Sequence, residues 1–342
     1  MSRSVPQLVS LAAVAIGIVL FGFTLYYIDL KETVASARRL GLALPVILLP
    51  GACWHVLRTW GWAVAFPDES RPPFTRLFRV RLAADAIGFF TVRGIAGEPL
   101  KVLLLYDRVA PEITTAAVAL ERLAFAVIGI VIAALISFAA LSQLSMPGAW
   151  DTVFTMLIIG AVVVLVLAGL IARRRSGDYL GRLVAAIDGA IGRRLEASRV
   201  VRFILDVEDV LLQLIRSDRR RLVTLTALAV VCYLLMTIEV WLVLWAVGEP
   251  CGVTEALAIE TFARLASVAS AMIPGNIGAL EASNAGVVAA LGLGGGGALA
   301  LARRIRALLW AAAGLAIYPR PGTASLRRLS PPRTTEAGTP RN

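Results

Sequence analysis

Six stretches of this chain, residues 5–28, 41–66, 112–141, 151–172, 222–247 and 298–318, are predominantly apolar over the ~20 residues that a helix needs to cross a bilayer. Hydrocarbon offers no partner to a free backbone N–H or C=O, so a chain of this kind folds as helices that satisfy those groups internally. Hydrophobic residues make up 58% of the 342 and the mean hydropathy is +0.79. A soluble domain holds about 45–50% apolar residues. The composition therefore predicts an all-α polytopic membrane protein with about six transmembrane helices. Residues 1–318 read as one transmembrane domain, residues 5–28 as an uncleaved first helix, and 319–342, poor in apolar residues, as a disordered tail.

Two further apolar stretches are broken in the middle. Between Leu82 and Tyr106 the interruption is made by Arg93, Gly94, Gly97, Glu98, Pro99 and Lys101; between residues 254 and 293 it is MIPGNIGALE, ending at Glu281. Glycine and proline free backbone groups that must be satisfied by protein or water, and charged side chains at depth cost ~2.5–3.5 kcal/mol each on insertion scales. Such breaks persist where something polar is handled. We expect two oppositely oriented re-entrant helical hairpins, one from each side of the membrane.

The order of these features resembles a known family. An Arg followed by GE and a basic residue (Arg93, Gly97, Glu98, Lys101), a Glu-Arg pair in the next helix (Glu121, Arg122) and PGxxGxxE (Pro274, Gly275, Gly278, Glu281) are similar to the flippase-like integral membrane proteins related to the transmembrane domain of lysylphosphatidylglycerol synthases. The likeness runs over roughly residues 8–318. It implies translocation of a lipid between leaflets and no aminoacyl-transferring domain within these residues.

Charge sets the expected orientation. Residues 173–221 hold twelve arginines against seven acids and read as a cytoplasmic amphipathic helical region, whereas residues 142–150 carry no charge and read as external. This places residues 76–108 as a hairpin entering from the cytoplasm, with the basic cluster Arg71 to Arg81 in the flanking loop, and the C-terminus in the cytoplasm of a multi-pass inner (plasma) membrane protein. The net charge of +11 thus belongs to membrane orientation, and nucleic acid is not an expected partner.

The ionisable residues at depth are Arg93, Glu98, Lys101, Glu121, Arg122, Glu239, Glu260, Arg264 and Glu281. Glu121 and Arg122 point about 100° apart on a helix, so Arg122 needs a carboxylate on another element, with Glu98 the first candidate and Glu281 the next. Glu260 and Arg264 have the favourable i,i+4 order. Glu281, in the first turn of a half-helix, is expected to be tolerated by the helix dipole without a partner. The proposed head-group site comprises Arg93, Gly97, Glu98, Lys101, Glu121, Arg122, Glu239, Pro274, Gly275, Gly278 and Glu281. In it, backbone N–H groups freed by the glycines and the charges of Arg93 and Lys101 would meet an anion.

The three cysteines have neither disulfide nor metal-ligand spacing, and His55 is the single histidine and reads as structural. The glycine run 294–297 lacks the lysine of a phosphate loop and reads as a turn. No cofactor, metal or catalytic residue is expected. A proton- or ion-coupled carrier of small solutes using Glu239 and Glu281, and a lipid-modifying membrane enzyme, are the alternative classes. A second copy or a lipid-synthesis enzyme remains open as a protein partner beside the lipid.

Overall fold

A computed structural model describes residues 40–91, 97–144, 148–173, 198–270, 273, 276 and 278–319. The expected first helix, Arg93, Pro274, Gly275, most of the cytoplasmic amphipathic region before residue 198, and the tail from 320 on lie outside the described residues.

Among the described residues the regular structure is entirely helical. In chain order the helices are α1 (Leu44–Ala65), α2 (Phe74–Phe90), α3 (Gly97–Leu105), α4 (Pro111–Gln143), α5 (Gly148–Arg173), α6 (Arg199–Ser217), α7 (Arg219–Ala246), α8 (Val253–Ala269), α9 (Ala279–Ala290) and α10 (Gly296–Ala316). Three of them, α4, α5 and α7, are long and apolar enough to cross a membrane by length and composition. α1 and α10 have 22 and 21 residues, enough for ~30 Å of rise, and carry ionisable residues in their middles.

Two apolar clusters mark the ends of the bundle. One gathers Trp62, Phe66, Leu77, Leu104, Leu105, Val109, Leu120 and Leu225; the other gathers Ile47, Ala140, Phe154, Val243, Leu244, Ile259, Val288 and Leu299. α1, α4, α7 and α10 each contribute to both from opposite termini, so α1 and α10 run antiparallel to α4 and α7. α6 packs its apolar residues Val207, Val210, Leu211 and Leu214 onto the first cluster.

Both broken stretches double back. In the first hairpin, α2 and α3 lie antiparallel: Arg76 Nη2 donates to the Leu104 carbonyl at 3.0 Å near the base, and Gly97 packs against Gly88 and Ala84 near the tip. A Cβ on Gly97 would lie 2.8 Å from the Ala84 carbonyl oxygen, so this glycine allows the two arms to touch. In the second hairpin, α8 and α9 share a base at the other apolar cluster. There Gly294 lies against Glu249, joining the residues before α8 to those after α9.

Helix α10 is packed against both hairpins. Its N-terminal Gly296 sits on Ala285 of α9, and its Gly314 sits on the Leu82 carbonyl of α2. Arg304 of α10 pairs with Glu281 at the second tip, while Ala311 packs with Phe90 at the first. The two tips, approaching from opposite ends, therefore meet the same helix only about 10 Å apart along its axis, seven residues at ~1.5 Å each.

The doubling back of α2 and α3 makes a topological test. In a background with Cys53, Cys232 and Cys251 replaced, Thr75→Cys and Ala110→Cys should be labelled by an impermeant reagent from one face of the membrane and Gly252→Cys from the other. Labelling of Thr75→Cys and Ala110→Cys from opposite faces would contradict the hairpin.

Candidate functional site

Between the two apolar clusters the bundle holds two sets of ionic side chains. The first set is organised by α1, α2, α3 and α4. Glu121, 2% exposed, sits 2.9 Å from Arg58 Nε and accepts from Arg58 Nη2 and Arg81 Nη2, each at 3.2 Å. Arg81 also donates to the Arg58 carbonyl at 2.9 Å. Arg58 stacks its guanidinium on Phe125, 4.0 Å from the ring centre. Lys101 is held between Glu98 at 3.1 Å and Asp85 at 3.5 Å, and Arg122 pairs with Glu98. The spacing argument for Arg122 is thereby met: Glu98 on α3 is its carboxylate, while Glu121 faces inward to α1 and α2.

The second set is organised by α7, α8, α9 and α10. Glu260 is 2.7 Å from Arg264, its i,i+4 neighbour, and accepts from Arg303 Nη2 at 2.5 Å. Arg303 also donates to Asn284 Oδ1 at 3.0 Å. Arg264 lies over the Tyr233 ring, whose hydroxyl meets Thr261 at 2.5 Å. Glu281 pairs with Arg304, and Glu239 pairs with Arg306. The sets adjoin: Cys232 is within electrostatic reach of Arg58, Arg81 and Glu121 and also of Arg264, and His55 of Arg58, Arg81 and Asp85 and also of Arg306.

Counted among the described residues, each set has four cations against three carboxylates. The first has Arg58, Arg81, Lys101 and Arg122 against Asp85, Glu98 and Glu121; the second has Arg264, Arg303, Arg304 and Arg306 against Glu239, Glu260 and Glu281. Pairing removes most of the cost of burying charge, yet a positive surplus remains in both. The groups that reach an accessible surface are Arg122, with 49% of its side chain exposed, then Arg264, Glu281, Asp85 and Arg306.

Four expectations are corrected. Glu281 is not partnerless: its Oε2 accepts from the Gly278 N–H at 2.8 Å, capping α9, while Oε1 holds Arg304. Gly278 adopts φ +82°, a conformation that glycine takes without strain, and this brings its N–H back to the carboxylate. The α9 N-terminus is thus already occupied by an anion of its own chain. Lys101 does not offer its charge outward, because it is 2% exposed and bracketed by two carboxylates. Gly97 serves arm-to-arm packing, as described above. Arg81, expected in a flanking loop, is 1% exposed inside α2 because Glu121 supplies the partner that lets it be buried.

The residues missed by sequence reasoning are Arg58, Arg81, Asp85, Arg303, Arg304 and Arg306. A signal existed for the last three. Cations at 303, 304 and 306 inside an apolar run each need a carboxylate at depth, and Glu239, Glu260 and Glu281 each needed a cation. The cysteines are free and packed, and burial together with Glu255 pushes the Cys251 thiol above its ordinary range, an unreactive setting. Among the described residues no cluster of His, Cys, Asp or Glu could hold a metal ion.

The family described as "Lysylphosphatidylglycerol synthase TM region" matches residues 10–316. The chain belongs to this family. It is therefore an integral membrane protein of a family tied to lipid metabolism or transport. A search of curated proteins and a search of solved structures give no match. The matched span contains both hairpins and all of α10 up to its last residue, so the whole ionic site is family territory.

Proposed function

We propose that this protein translocates an anionic or zwitterionic lipid, or a lipid-linked intermediate, between the leaflets of the membrane. The observation that carries the proposal is the meeting of two opposed hairpin tips at α10, beside ionic sets that each hold a cation in excess of their carboxylates. A phosphate crossing hydrocarbon loses its hydration, at a cost that closes the direct path. A mid-depth guanidinium replaces that hydration with charge-assisted hydrogen bonds, while the acyl chains stay in lipid. Arg122 and Arg264 are the cations with the most accessible side chains in their respective sets, Glu98 orients Arg122 and Lys101, and Glu281 and Asp85 accept from head-group donors.

In this reading α1, α4, α5, α7, α10 and the crossing expected from the sequence at residues 5–28 are the six crossings, and the two hairpins are re-entrant. The end bearing Arg71, Arg76, Arg79, Arg108 and Arg219 to Arg221 is cytoplasmic by the positive-inside rule, with the C-terminus on the same side of a plasma membrane. The reading assigns no covalent step to the chain.

Leaflet-resolved assays in proteoliposomes test it. A lipid with a phosphate head group should change leaflet, and Arg122→Gln should slow that exchange about tenfold, the loss of roughly 1.4 kcal/mol of head-group stabilisation. Uptake of a water-soluble solute without lipid movement, or a change in lipid mass, would support a carrier or an enzyme instead. A second variant separates site from scaffold. Glu281→Gln keeps an oxygen for the Gly278 N–H and should purify folded with exchange reduced several-fold, whereas Glu281→Ala also removes the cap and should be about 1 kcal/mol less stable than the glutamine variant.

A further inference from the structure

One part of the ionic site is not explained by head-group binding. Glu239 is 1% exposed, and while its Oε2 pairs with Arg306, its Oε1 is buried with no hydrogen-bond partner among the described residues. Two more buried polar atoms without partners there lie next to Arg306. Trp310 Nε1 and the Arg306 side chain both crowd the position where Gly51 would carry a Cβ, at 3.5 and 2.7 Å. The His55 ring, 8% exposed, lies 4.5 Å from the Trp310 ring, and its Nδ1 is the third such atom. Buried polar atoms in folded proteins are hydrogen-bonded, to water when not to protein, and an acceptor, a donor and an amphoteric nitrogen around one arginine suit a proton-carrying guest.

We propose that Glu239, with Arg306, His55 and Trp310 around it, forms a proton-binding site whose occupancy controls Arg306. The step is a simple protonation. A proton delivered by water adds to the Glu239 carboxylate, giving the neutral acid, and Arg306 keeps its charge but loses its counter-ion. An arginine without a counter-ion at that depth seeks another anion, and on the translocation reading given above that anion is the lipid phosphate. Release of the proton restores the carboxylate, which recaptures Arg306 and frees the phosphate. The helices packed against α7 carry, among other charged and titratable groups, His55 and Arg58 on α1, Glu121 and Arg122 on α4, Glu255, Glu260 and Arg264 on α8, and Arg303, Arg304 and Arg306 on α10. Glu121 and Glu260 are each engaged by two arginines. Glu239 has a single cation, and its other oxygen has no hydrogen-bond partner among the described residues, so of the three it is the carboxylate with an oxygen open to a proton.

The test needs no lipid substrate. Infrared difference spectra of the reconstituted full-length protein, recorded as pH is changed, should contain the C=O stretch of a protonated carboxylic acid that shifts in deuterium oxide. The band should vanish in Glu239→Gln and persist in Glu281→Gln. Its absence from the wild type, or its survival in Glu239→Gln, overturns the proposal. If Glu239→Gln does not purify, Trp310→Phe decides the matter: deleting one donor beside the site must move the titration midpoint of the band, and an unmoved midpoint overturns it. With the spectroscopy in hand, an imposed pH gradient should change the lipid exchange rate of the wild type several-fold. A protein that shows the band but moves no lipid keeps the proton site and loses the translocation reading.

Discussion

Glu121→Gln should cost about 3–5 kcal/mol, the typical loss when one partner of a buried ion pair is removed. Arg58 and Arg81 both converge on this carboxylate from α1 and α2, and the Arg81 and Glu121 side chains are each 2% exposed. The amide keeps an acceptor oxygen but leaves Arg58 without its carboxylate and Arg81 with Asp85 alone, 3.6 Å away. At ~2–4 °C per kcal/mol for larger domains, the unfolding midpoint in detergent should fall by roughly 10 °C. Adding Arg81→Met should recover part of the loss, because removing both members of a buried pair is far less damaging than removing one. A midpoint unchanged in Glu121→Gln would mean that the first ionic set is not what holds α1, α2 and α4 together.

The second large effect is expected from a single methyl group. At Gly314 of α10 an added Cβ would stand 2.2 Å from the Leu82 carbonyl oxygen, 2.7 Å from its carbon and 3.0 Å from the Ala86 Cβ. Ordinary contact begins near 3.5 Å, so α10 and α2 must separate by about 1 Å or more. The obstacle is backbone on both sides, which cannot swing away as a side chain does. Gly314→Ala should therefore lie at the upper end of the ~1–3 kcal/mol range for overpacked sites, and Gly314→Leu should abolish a monodisperse folded peak. Gly160 of α5 provides the control, because nothing lies within 4 Å of its Cβ position, and Gly160→Ala should be neutral or slightly stabilising. Equal behaviour of the two alanine variants, measured by thermal unfolding, would refute the close packing of α10 on the first hairpin.

How much of this was legible in the chain depends on which physical rule governed each part. The long helices and the two interrupted stretches followed from hydropathy, because lipid leaves a backbone few choices, and the Arg122 to Glu98 pairing followed from helical geometry and the cost of a lone charge. The pairings centred on α10 were not legible. Arg303, Arg304 and Arg306 pair with Glu260, Glu281 and Glu239 across 43, 23 and 67 residues of sequence, and no local pattern encodes such distances. Arg81 was hidden differently: a basic residue following a loop and preceding an apolar run reads as membrane-flanking, and only the position of Glu121 in three dimensions draws it inside. The glycines carried a double meaning. Gly278 has the positive φ that a break in a helix suggests, but Gly97 is present for close approach of two helices, a requirement that depends on where the second helix lies.

The central claim is that the paired ionic sets hold a phosphate head group between the two hairpin tips, and bound lipid is the most direct witness to it. Native mass spectrometry of the protein released gently from detergent should retain a phosphate-containing lipid on the wild type. The double variant Arg122→Gln with Arg264→Gln, which removes the two most accessible guanidiniums, should lose that adduct while remaining folded. A wild-type protein that emerges free of lipid under conditions that keep it folded, or a double variant with undiminished lipid occupancy, would contradict the account.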